Sequence, residues 1–258
     1  MKKYKNGLVL SGGAARGLAH AGVLQALDEE GLQPEIISGV SAGSIVGALY
    51  ADGYRPAEIL EMFLEKSMLN YVKPAMPRQG LLRMTGLEEV LTEKLHAKRI
   101  EDLKIPLRIT TTDIHSGKAL VFSSGQLIPI IIASSSIPVM FVPSVINGLT
   151  LVDGGVVDNL PIDPIRNLCD FIVGVHVNPI GNVTEIDGLI DIAERTFNLA
   201  VAAQIEKKIE DFDIFIEPHE LKNFGLTDVK KAREIFDTGY KEAKRLISLL
   251  DTPFRTAS

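Results

Sequence analysis

Ile36-Ile37-Ser38-Gly39-Val40-Ser41-Ala42-Gly43 runs from an apolar stretch into a serine with glycines two positions to either side. That run predicts a short strand, Ile36 to Ser38, a sharp turn at the serine and a helix from about Ser44 to Asp52. Immediately upstream the same grammar occurs once already. Gly7 to Leu10 reads as an apolar strand, Gly12-Gly13 as a turn, and Leu18, Ala21, Leu24 and Leu27 as the inner face of a helix closed by Gly31. The first fifty residues therefore read βαβα, and such alternation demands an α/β fold with a mostly parallel sheet.

Working outward, helical spacing recurs over Pro56 to Ser67 and Leu87 to His96, with an irregular stretch, Met68 to Thr85, between them as a candidate cover. Strands are expected at Leu107 to Asp113 and Ala119 to Phe122, paired through His115-Ser116-Gly117, and at Leu149 to Val152 and Phe171 to Val177. A helix from Leu189 to about Asp211, a short strand from Asp213 to Glu217 and a helix from a cap near Thr227 to Leu250 close the chain. With 258 residues, 46% of them hydrophobic, one domain spanning 1–258 is expected. Its motif-bearing core covers about 7–180 and its helical C-terminal part about 189–250.

The net charge of -6 gives no basic field for nucleic acid, which is not an expected partner. Cys169 is the only cysteine, so no internal disulfide can form. The apolar run Leu8 to Leu10 is too short for a signal-peptide core, and a cytoplasmic protein is expected. Ala119 to Val152 carries no Asp, Glu, Lys or Arg, yet Pro129, Pro138 and Pro143 would break a spanning helix. That stretch should be buried chain or the lining of a groove.

Three features carry chemistry. Gly39 to Gly43 fits the G-x-S-x-G elbow, in which Ser41 is held at the start of a helix whose positive end stabilises a negative intermediate. Gly12-Gly13-Ala14-Ala15-Arg16-Gly17, at the preceding strand-to-helix turn, leaves backbone N–H groups free for an anion and reads as an oxyanion hole. A dinucleotide loop is the rival reading, weakened because Ala14 stands where that pattern needs its middle glycine and because the second strand ends in the serine turn. Asp153-Gly154-Gly155, followed by Asn159 and Pro161, is alone no more than a turn.

Together, in this order and spacing, the three features resemble the patatin-like phospholipases over most of residues 7 to 180. Ser134-Ser135-Ser136-Ile137-Pro138-Val139-Met140-Phe141 resembles a further block of that family, and Asn159 and Pro161 its continuation after the aspartate. The resemblance implies a three-layer α/β/α patatin-like fold and a Ser41–Asp153 dyad that hydrolyses lipid acyl esters through an acyl-enzyme. N–H groups of Gly12, Gly13 and Ala14 would hold the oxyanion and Arg16 would add positive charge nearby. Gly17, Gly39, Gly43, Gly154 and Gly155 complete the motifs. One departure is Ala14, where some relatives have a third glycine.

Two alternatives stay open: a small-ester esterase with a Ser-Asp-His triad, and a non-enzymatic regulatory module on the same fold. Among the five histidines only His176 and His219 follow Asp153 as a triad order requires. Asp158 is a second acid, expected to be structural. No Cys/His cluster or acidic run has ligand spacing, so neither a metal nor a cofactor is expected. The uncharged stretch Leu127 to Ile146 suits a groove for a phospholipid or other long-chain acyl ester. Met68 to Arg83 suits transient contact with a lipid surface.

Overall fold

The computed structural model describes residues 2–64, 73–74, 81–181 and 186–250. Its order begins with β1 (Tyr4–Leu10), α1 (Leu18–Glu29), β2 (Ile36–Val40), α2 (Ala42–Asp52) and α3 (Pro56–Leu64), the βαβα start predicted from sequence. A two-residue ribbon follows, β3 (Lys73–Pro74) with β4 (Leu82–Arg83), and then α4 (Thr85–Lys94). Next come β5 (Leu107–Asp113), β6 (Lys118–Phe122), α5 (Leu127–Ser134), β7 (Ser144–Ile146) and β8 (Leu149–Asp153). The chain ends through α6 (Asp163–Arg166), β9 (Cys169–Val175), α7 (Leu189–Ile205), β10 (Ile214–Ile216) and α8 (Ala232–Ser248).

Eight strands form one sheet in the order β10-β9-β1-β2-β5-β8-β7, with β6 on the free edge of β5. The first five of that order run parallel, so the sheet is mostly parallel. Alternation along the strands sorts side chains into two cores. Leu8, Leu10, Ile37, Val173 and Val175 enter the larger core with α1, α2, α3, α5 and α8, whereas Val9, Ile36 and Ile172 enter a smaller one with Ile165 of α6 and Ile205 of α7. Helices cover both faces because both faces of a parallel sheet are apolar. This is the three-layer α/β/α arrangement expected.

Several boundaries differ. The second helix starts at Ala42 because Ser41 itself occupies the cap position. The last helix starts at Ala232, preceded by a single 3-10 turn at Val229–Lys231, and no side chain near Thr227 caps it. The penultimate helix tightens to 3-10 from Glu206 to Asp211. Pro129 does not break its helix but lies in the first turn of α5, where an N–H has no intrahelical acceptor to lose. Gly31 closes α1 with φ 69, as read. Most of Met68 to Thr85, and with it the cover and the lipid-contact stretch, lies outside the described residues, as does the end of the helix expected to reach Ser67. No helix among the described residues is long and apolar enough to cross a membrane.

Candidate active site

The register of β5 brings the serine and the aspartate together. On one edge, Val40 of β2 sits opposite Thr110; on the same edge, Asp153 of β8 sits opposite Thr111, arriving from the other direction. β6 occupies the opposite edge over Ile109 to Asp113, so β2 and β8 must meet end to end. Ser41 follows Val40, which sets its side chain beside the Asp153 carboxyl, close enough to lower that carboxyl's pKa. Residues 112 positions apart become neighbours because an antiparallel strand ends where a parallel one does.

Strain marks the serine. Ser41 has φ 51 and ψ -125, sparsely populated for a residue with a Cβ, and it is 7% exposed at the N-terminus of α2. The glycines two positions away serve packing instead of strain. A Cβ on Gly43 would lie 2.4 Å from the Leu10 carbonyl oxygen, so only glycine lets α2 begin against the end of β1. The Ser134 hydroxyl accepts the Ser41 N–H at 2.9 Å and donates to the Thr110 carbonyl at 2.7 Å. The Ser136 carbonyl accepts the Asp153 N–H at 2.9 Å. One serine run thus fixes both partners, a role its sequence did not reveal.

Asp153 is 2% exposed. Burial pushes its carboxyl up from 3.8 to about 6, against the opposing pull of the neighbouring Ser41 side chain and of the Gly155 N–H, which donates to it at 2.7 Å. Asp158, the other acid considered, is paired with Lys208 at 2.6 Å.

The glycine loop differs in detail from its sequence reading. The Gly12 N–H is taken by Asn159 Oδ1 at 3.2 Å, and the Gly12 carbonyl accepts Asn178 Nδ2 at 3.2 Å. The N–H groups of Gly13 and Ala14 have no acceptor among the described residues. Ala14 adopts φ 46, the left-handed conformation a glycine would take without strain. Arg16 Nε donates to the Phe224 carbonyl at 2.8 Å, which binds the loop to the segment before α8. Nothing at the position of Asn178, one residue beyond the expected strand end, marked it in the sequence.

Two cavities share Ser41, Ala14 and Ile137. The larger is lined by apolar groups including Leu18, Ile45, Phe63, Leu87 and Phe141, with about 140 Å³ open to the centre of a water molecule. The smaller carries the more polar residues and is bounded by Gly12, Gly13, Asp153, Asn159, Asn178 and Asn198, with Leu226. No histidine lines either. His176 is buried with Nδ1 2.6 Å from Glu217, His219 is exposed beside the same carboxylate, and His20 is buried behind the loop on the Ser11 carbonyl. Burial holds His20 down near 4 and therefore neutral.

The sequence profile of patatin-like phospholipases matches residues 8–166, which contain the serine turn, the glycine loop and the aspartate. The chain belongs to the patatin-like phospholipase family. An uncharacterised NTE family protein of Mycobacterium tuberculosis is 34% identical over 174 residues, 66% of this chain and 48% of that protein. Lysophospholipase NTE1 of Kluyveromyces lactis is 31% identical over 276 residues, 91% of this chain and 18% of that protein. Patatin-like phospholipase domain-containing protein 6 of Homo sapiens is 27% identical over 92% of this chain and 20% of its own length. The chain thus spans less than half of each of these relatives. Among solved structures, VipD of Legionella pneumophila has the same fold, with a TM-score of 0.55, 15% identity, and coverage of 95% of this chain and 67% of that one.

Proposed function

We propose that this patatin-like protein is a serine hydrolase of lipid acyl esters, with Ser41 as nucleophile and Asp153 as its only general base. The observation that carries the reading is a strained serine set beside a buried aspartate whose carboxyl is pushed up to about 6. An acid near 6 is ionised at neutral pH by about ten to one, yet is a better base than one near 4. Asp153 takes the Ser41 proton, Oγ attacks the ester carbonyl, and the oxyanion is met by the N–H groups of Gly13 and Ala14 and the positive end of α2. Gly12, with its N–H on Asn159, acts by shaping the loop. Arg16 contributes its charge near the loop while anchoring it to Phe224.

The apolar cavity beside Ser41 suits an acyl chain, which favours phospholipids, lysophospholipids or similar long-chain esters over small soluble ones. The names of the NTE relatives point the same way. Covalent labelling by a fluorophosphonate tests the reading together with hydrolysis of long-chain p-nitrophenyl esters. Both are expected to vanish in Ser41→Ala and hydrolysis in Asp153→Asn, with His176→Ala active. A folded but inert His176→Ala would establish a triad instead, and a wild type that never labels would leave a non-enzymatic module.

A further inference from the structure

Behind the serine, in the smaller cavity, three asparagines converge. Asn159 is 2%, Asn178 4% and Asn198 9% exposed, and each has one side-chain atom with no hydrogen-bond partner among the described residues. These atoms are Asn159 Nδ2, Asn178 Oδ1 and Asn198 Oδ1. The first two orientations follow from the main chain: Asn159 must turn its oxygen to the Gly12 N–H, and Asn178 its NH2 to the Gly12 carbonyl. Buried amide atoms left unpaired are costly, and native chains rarely leave several facing one space.

The cavity sets what can satisfy them. The space open to the centre of a water molecule is about 10 Å³, the size that one water fills. Among unpaired side-chain atoms the walls present one donor and two acceptors, beside the main-chain N–H groups of Gly13 and Ala14. A water has two O–H groups for Asn178 and Asn198 and a lone pair for Asn159, so it meets all three. An alcohol has one O–H and leaves an acceptor unmet. A phosphate has only acceptors to set against two acceptors. Ser41 and Asp153 close the same cavity.

We propose that the three asparagines form a station for the deacylating water, with Asn178 and Asn198 as its positioning residues. This rests on the hydrolase reading above. In the acyl-enzyme, the water turns one O–H from an asparagine oxygen to Asp153, and its oxygen forms a bond to the acyl carbonyl carbon as that proton passes to the carboxylate. The tetrahedral oxyanion sits on the Gly13 and Ala14 N–H groups. It collapses by breaking the bond from the carbon to Ser41 Oγ, Asp153 returns the proton to Oγ, and the fatty acid leaves with the water's oxygen. The acyl chain keeps the apolar cavity throughout, so water and lipid reach the serine from different sides.

Asn198→Leu removes an acceptor while keeping the bulk, and Asn198→Ser keeps an oxygen. Labelling by a fluorophosphonate needs the nucleophile and the hole but no water, so both variants should label within about twofold of wild type. Ester turnover by Asn198→Leu should fall roughly tenfold, the scale of one lost buried hydrogen bond. Intact mass spectrometry should show the acyl group accumulating on Ser41, and hydroxylamine, which brings its own nucleophile, should release it. Asn198→Ser should retain most turnover and accumulate less. The station is overturned if labelling and turnover fall together, if turnover is unchanged, or if a high-resolution crystal structure of the wild type shows no ordered water on the three amide atoms. A wild type that does not label at Ser41 would remove the hydrolase reading itself.

Discussion

Replacing Asp153 by asparagine should inactivate the protein and at the same time make it more stable, by an amount that depends on pH. Asparagine keeps the shape and the acceptor for the Gly155 N–H, and it removes the charge. The folded state holds the Asp153 carboxyl at about 6 against 3.8 for an ordinary aspartate. Because the folded pKa is raised, the native state binds the proton more tightly, and stability falls as pH rises from 3.8 through 6. The difference of about 2.2, at about 1.4 kcal/mol for each tenfold, is about 3 kcal/mol, fully expressed above about pH 7. Urea unfolding at pH 8 should place Asp153→Asn about 3 kcal/mol above wild type, and at pH 4 the gap should shrink below about 1 kcal/mol. His20, which protonates with its own cost in acid, is present in both proteins and cancels. A gap equal at both pH values, or a less stable variant at pH 8, would refute the argument that burial dominates at this carboxyl.

The same carboxyl governs rate: kcat/KM for a long-chain ester should rise with pH through an inflection near 6 and level off above it, whereas an inflection near 4 would mean an aspartate still hydrated. Ala14→Gly should relieve the left-handed strain at φ 46, offset in part by the freer unfolded chain. A net gain of up to about 1 kcal/mol in thermal or urea unfolding, with hydrolysis retained, is the expected result. Ile45→Trp should fill the apolar cavity and reduce kcat/KM for dodecanoyl esters at least about tenfold relative to acetyl esters, and an unchanged ratio would place the acyl chain elsewhere.

What could be read from the chain was whatever is local. The strand expected over Ile36 to Ser38, which the structure extends to Val40, the turn at Ser41 and the glycine loop after Leu10 each follow from a few adjacent residues. The strongly apolar run Phe171 to Val177 likewise announced β9, although pairing stops at Val175. What escaped were facts about partners. Ser134 on the Ser41 N–H, Ser136 on Asp153 and Asn178 on Gly12 join residues 17 to 166 positions apart, and no periodicity encodes them. The partner of the Gly12 N–H escaped for the same reason, since Asn159 lies 147 residues away. The unusual dihedral at the elbow belongs to Ser41, and Gly43 is needed for close approach, which the five-residue pattern alone does not tell apart.

The end-to-end meeting of β2 and β8 has a consequence for biosynthesis. The chain emerges from the ribosome N-terminus first, and its first hundred residues contain the serine, the glycine loop and the helices that surround them. They lack β5, the strand on which the aspartate will dock, and they lack β8, which brings it. A nascent or truncated chain that stops short of β8 therefore displays Ser41 without Asp153 beside it, and the two meet only once residue 153 has been synthesised and β8 has paired with β5.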